Sequence, residues 1–142
     1  MPVKSALVAG AAYFAILFGA GAAAGVLRVL FVSPHLGALG GVLVELPIML
    51  ALAWLACDWL ADHLHVGGRL ADRVTMGGST FILLMAAESG LSLLMGGRPT
   101  EATVSAADTW APALGFAGQA VACAFPLVRG GPFALPAGRQ TP

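Results

Sequence analysis

Four polar residues stand inside otherwise apolar stretches: Arg28, Glu45, Glu88 and Gln119. A charge at hydrocarbon depth is costly, so such residues face a partner or a water-filled cavity. Two kinds of chemistry are open to this set. In one, Arg28 pairs with Glu45 or Glu88 and Gln119 bridges them, which fixes helix register. Interhelical polar contacts in membranes average below about 1 kcal/mol, so the gain is specificity more than stability. In the other, the carboxylates line a cavity and hold a proton or a cation. Two carboxylates against one guanidinium leave one negative charge, and crowding of like charges favours protonation of one of them. A protonatable acid inside a membrane is what a proton-coupled carrier uses.

The remaining reactive side chains form no convincing site. Asp62, His63 and His65 sit close in sequence, but an i, i+2 spacing on a helix sends the two imidazoles to different faces. A solvated loop is expected there, and a solvated turn at His35. Cys57 and Cys123 lie in separate apolar segments with no CxxC or zinc-type spacing. Span estimates put them at different depths, as buried free thiols. The sequence has no GxSxG, HExxH or Walker-type glycine loop. No histidine pair is placed to hold a haem. Gly67-Gly68 and Gly77-Gly78 follow no strand, so they are not phosphate loops. The expectation is a non-enzymatic protein with no cofactor and no metal.

Long apolar helices must position the four polar residues. Hydrophobic residues make up 58% of the 142 and charged ones only 10%, against about 25% charged in a soluble domain. Mean hydropathy is +0.88. With no excess of positive charge, nucleic acid is not an expected partner. Several apolar runs reach the roughly 20 residues needed to cross a bilayer. The predicted fold is all-α: an integral membrane protein of four transmembrane helices in an up-down bundle. One domain over residues 1–128 is expected, with spans at about 6–32, 36–60, 79–95 and 113–128. The Gly- and Pro-rich residues 129–142 are expected to form a flexible tail.

Ala6–Leu27 is longer than a signal-peptide core, so it reads as a retained first helix. Within it Ala11, Ala15, Gly19 and Ala23 share a face, and Gly21 to Gly25 is a GxxxG, the pattern of close helix packing. Ser33-Pro34-His35 reads as a tight turn, because proline ends a helix near the preceding residue. In the second span Gly37 and Gly41 permit close approach. Pro47 is expected to kink the helix near Leu43 or Val44. Trp54 and Trp59 flank Asp58 and mark an interfacial end. A polar loop is expected over 61–78. Thr100 and Glu101 read as the cap and first turn of a short surface helix reaching about Asp108.

Depth counting relates the spans. At 1.5 Å per residue, Arg28 lies roughly 8 Å from the outer end of its span, and Glu45, Glu88 and Gln119 lie roughly 10–14 Å from theirs. Each span thus brings one polar residue to a similar level. For orientation, Lys4, Arg69, Arg73, Arg129 and Arg139 fall on one side, Arg28 and Arg98 on the other. The positive-inside rule then places both termini in the cytoplasm.

The strings Arg28-Val29-Leu30-Phe31-Val32, Pro34, Leu36-Gly37, Glu45-Leu46-Pro47 and Ala87-Glu88 resemble a group of uncharacterised small bacterial integral membrane proteins. The resemblance covers the first three spans. It implies four spans in a bacterial inner membrane and brings no activity, substrate or cofactor.

The leading expectation is a structural or accessory membrane protein embedded in the lipid bilayer. It would associate with itself as a homo-oligomer or join a larger membrane complex through its small-residue faces. The alternative is a dimeric proton-coupled carrier of a small molecule or cation that uses Glu45 and Glu88.

Overall fold

A computed structural model describes residues 2–94 and 110–129, all of which fall in helices apart from the link between Leu64 and Arg69. Helix α1 spans Pro2–Leu27, α2 Ser33–His63, α3 Leu70–Leu94 and α4 Trp110–Arg129, with a π-helical stretch at Arg28–Val32 joining α1 to α2. Among the described residues, three helical stretches are long and apolar enough to cross a membrane by length and composition: Val3–His63, Leu70–Leu91 and Trp110–Arg129. The surface helix expected over Thr100–Asp108 and the tail lie outside the described residues.

The first stretch, 61 residues long, would extend about 90 Å if straight. It does not run straight. Gly37 adopts φ 72°, ψ 177°, a left-handed value that an L side chain resists. The chain folds back there, because Tyr13 in α1 reaches Ala53 in α2. The expected turn at Ser33-Pro34-His35 is therefore displaced to Gly37. Pro34 is accommodated because the helix widens just before it. The Ser33 N–H donates to the Arg28 carbonyl, five residues back, and proline near the start of a helical segment loses no bond that the helix needs. The His35 Nδ1–H then donates to the Phe31 carbonyl at 3.0 Å. Around Pro47 the α2 backbone keeps helical angles; Gly37 is the place where it departs from them.

The polar connection also differs from expectation. Only Leu64–Arg69 is non-helical, and α3 begins at Leu70. Its first turn closes when Asp72 N–H and Arg73 N–H donate to the Arg69 carbonyl at 3.1 and 3.3 Å. Asp72 sits in that turn, where a carboxylate complements the positive end of the helix.

Helix α1 packs on α2 and α3, and α4 packs on α2 and α3, whereas the backbones of α2 and α3 do not approach each other closely despite being consecutive. The simple up-down order, in which chain neighbours are spatial neighbours, is thus not followed. Small residues decide which helices meet. A Cβ on Gly10 of α1 would strike the Ser79 hydroxyl and lie 2.8 Å from the Met76 carbonyl of α3. A Cβ on Gly77 of α3 would strike the Cys123 carbonyl of α4. Neither glycine was expected from the sequence to pack against another helix. Of those that were, Gly25 has nothing within 4 Å, Gly21 meets only Met49 at ordinary contact distance, and Gly37 serves the chain reversal. A GxxxG spacing records small size but not which face meets a neighbour.

The centre is held by Tyr13, which is fully buried. Its hydroxyl shares one proton between the Ala122 carbonyl at 2.9 Å and the Ala53 carbonyl at 3.1 Å. Around it pack Ala9, Ala56, Cys57, Met76, Ala122 and Cys123. Both cysteines are free thiols. They lie at closer levels than the span estimates implied, since Ala53 and Ala122 meet the same hydroxyl. Thr80, also fully buried, reaches the Gly10 carbonyl at 3.0 Å and its own-helix Met76 carbonyl at 2.8 Å.

Two stability outcomes follow. Tyr13→Phe is expected to lower unfolding stability in detergent by about 1 kcal/mol, the net worth of one buried hydrogen bond; an unchanged denaturation midpoint would show that the shared proton does not hold α2 to α4. Gly10→Val is expected to cost about 1–3 kcal/mol by overpacking, while Gly25→Val stays within about 0.5 kcal/mol, as read in the same unfolding series.

Candidate functional site

The helix ends near the π-helical stretch border a half-open cavity of about 770 Å³. All four helices and the π stretch line it. Its walls are mainly apolar, with Leu17, Phe18, Met49, Leu84 and Phe116 among them, and Arg28, Glu45, Glu88 and Gln119 bring charge and polarity. The four residues that sequence placed at one level thus line one space.

They meet as two pairs. Arg28 Nη1 lies 3.2 Å from Glu45 Oε2, an ion pair between α1's π-helical extension and α2. Gln119 Nε2 donates to Glu88 Oε1, linking α4 to α3. Each residue reaches its partner for a local reason. Arg28 is the first residue of the π stretch, a register that changes where the following side chains point. Its stem passes over Gly41, where a Cβ would sit 2.7 Å from Arg28 Cγ and 2.8 Å from Cδ. Gly41 and Glu45 are one turn apart on α2 and share a face. A larger residue at 41 would push the guanidinium off its carboxylate. Gly41 therefore packs as expected of it, but against a side chain and not a helix backbone.

Among the described residues, two acceptor atoms in these walls lack a hydrogen-bond donor. Glu45 Oε2 is within ion-pair distance of Arg28 but outside hydrogen-bonding geometry, and Gln119 Oε1 has no partner. A buried acceptor left without a donor costs about 1–3 kcal/mol, so both are ready to accept a donor from an occupant. With two carboxylates and one guanidinium, the lining carries one surplus negative charge.

The opposite end of the helices has a separate polar cluster that sequence did not assemble. Arg129 of α4 pairs with Asp58 of α2, and its guanidinium lies 5.8 Å from the centre of the Trp54 ring. Trp54 also meets Phe125 edge-on at 5.2 Å. Arg73 Nη1 donates to the Pro126 carbonyl at 3.3 Å, satisfying a carbonyl in the last turn of α4. Asp72 is 3% exposed and its carboxylate lies against Gly67 of the link. These contacts close that end, which is a structural task. His63 stacks on Trp59 with ring centres 4.5 Å apart, and His65 has a positive φ of 50°. Among the described residues no group of three or more metal-ligating side chains comes together.

Comparison of the chain with protein-family models, with curated proteins and with solved structures finds no match in any of the three. The reading of the cavity therefore rests on its own geometry.

Arg28 and Glu45 side chains are 32% and 20% exposed, so their attraction is partly screened. A double-mutant cycle with Arg28→Met and Glu45→Gln is expected to return a coupling of about 0.5–1 kcal/mol. Gly41→Val should abolish that coupling without touching either charge. Simple additivity of the two single changes would contradict the pairing.

Proposed function

We propose that the chain is a multi-pass membrane protein that carries a small solute and exchanges it against a proton held on Glu45 or Glu88. The supporting observation is that the pairs Arg28–Glu45 and Gln119–Glu88 both line one cavity. A layer serving only helix register gains nothing from such a void, because lost packing is destabilising. The volume falls within the roughly 300–1,000 Å³ of small-molecule sites. A carboxylate that alternates between a proton and a cationic partner couples the two without any bond-making chemistry, so no enzymatic role is proposed.

In this reading the helices cross the bilayer four times, Val3–His63 supplying two crossings that reverse at Gly37. Outward residues such as Leu30, Phe31, Ile48 and Ile82 are exposed and suit a lipid environment. Lys4, Arg69, Arg73 and Arg129 gather at the end away from the cavity, which by the positive-inside rule faces the cytoplasm of a bacterial inner membrane. The cavity then opens toward the outer half of the bilayer.

A structural or accessory role is the second reading. Gly19 and Gly25 of α1 favour it, because a Cβ added at either would meet nothing from another described segment within 4 Å, and an open small-residue face can receive another helix. The two readings separate in vesicles. Proteoliposomes with a trapped pH dye, challenged with small amines, carboxylates and neutral alcohols, are expected to move protons above protein-free vesicles for one class. Glu45→Gln and Glu88→Gln should stay assembled yet lose that response. Wild-type vesicles that match protein-free ones, or variants that match wild type, would overturn the carrier reading.

A further inference from the structure

We infer that the cavity's ligand is an amphiphilic monocation: one primary or secondary ammonium on an apolar, preferably aromatic, body. The inference rests on the carrier reading and names its substrate class. Three observations point to it. The first is charge. Among the described residues, Arg28 neutralises Glu45 across 3.2 Å, and Glu88 is the carboxylate of the lining that has no cationic partner there, being engaged by the neutral amide of Gln119. A single positive charge brings the cavity to neutrality; an anion would raise the surplus.

The second is hydrogen-bond polarity. The unfilled positions in the walls are acceptors, Gln119 Oε1 and Glu45 Oε2. They ask for an N–H donor, which an ammonium has and a quaternary or phosphonium cation lacks. A carboxylate ligand has no donor to offer them. The third is shape. Beyond the polar residues the walls are apolar, and the aromatic rings of Phe18 and Phe116 are among them. Phe116 is itself held edge-on to Phe81 with centres 6.0 Å apart. A flat hydrocarbon body can rest there while its ammonium sits between Glu88 and Gln119. Binding then involves no covalent step: the ammonium replaces the proton or the amide contact on Glu88, and Gln119 turns its free oxygen to the ligand.

Three compounds with one body and three charge states test this: 2-phenylethylamine, 2-phenylethanol and 3-phenylpropionate, each radiolabelled and equilibrated at pH 7 with nanodiscs holding the full chain, protein-free nanodiscs subtracted. The amine is expected to bind and the other two not. Glu88→Gln should weaken amine binding by about tenfold or more, the worth of a charge-assisted hydrogen bond. Glu88→Asp, which keeps the charge, should retain most of it and guards against a folding defect in the first variant. Preferential binding of the alcohol or the acid overturns the monocation and leaves the carrier reading standing. Amine binding that is indifferent to Glu88→Gln overturns the placement of the head group. If none of the three binds while the vesicles still show glutamate-dependent proton movement, the ligand class is wrong but the carrier reading holds; if both are absent, both fall.

Discussion

The buried hydroxyl of Tyr13 is the contact on which the helix arrangement depends. It donates toward carbonyls on two other helices, Ala53 of α2 and Ala122 of α4. Helical carbonyls already accept a bond from their own helix, and a second donor uses the remaining lone pair. The result is a cross-tie through the centre, made by one side chain with little freedom to move. It holds α4 opposite α1 and so leaves α2 and α3 apart, although a short link joins them. Around this tie Ala9, Ala53, Ala56 and Ala122 belong to the core, and such small residues let helix axes approach closely and draw stability from dispersion.

From that central tie the two ends diverge in character. At the end with the Leu64–Arg69 link, charges are spent on closure: Arg129 on Asp58, Arg73 on the last turn of α4, Asp72 on the start of α3. At the other end α1 passes into a π-helical stretch, the chain swings out to Gly37, and packing is left incomplete. The cavity is the space so created. Polar residues around it are paired two by two across helices, with acceptors to spare.

The sequence and the structure diverge most where local rules compete. Pro34 predicted a turn, because proline disfavours helix at the preceding residue. The widened π register absorbed it, and the next glycine with left-handed freedom took the reversal. Asp72 and Arg73 read as loop residues by polarity, yet they open α3, since a carboxylate in a first turn favours helix and Arg73 has a carbonyl waiting on α4. Gly21 and Gly25 matched a packing motif, whereas Gly10 and Gly77 do the packing. Spacing along one helix cannot say which face the neighbours occupy.

What the sequence determined by itself is the class and the ingredients. The apolar runs dictate helices long enough for a membrane, because hydrocarbon-length segments must satisfy their own backbone bonds. Depth counting at 1.5 Å per residue grouped Arg28, Glu45, Glu88 and Gln119 as an expectation, since rise along a helix is fixed by its hydrogen bonds. Only the tertiary structure decided rotation and neighbourhood: that Arg28 takes Glu45 and Gln119 takes Glu88, that α2 avoids α3, that Tyr13 lies at the centre, and that a cavity opens among the four. Rotation about a helix axis is set by which small residues meet across the interface. That information is shared between segments far apart in the chain, and no single segment carries it.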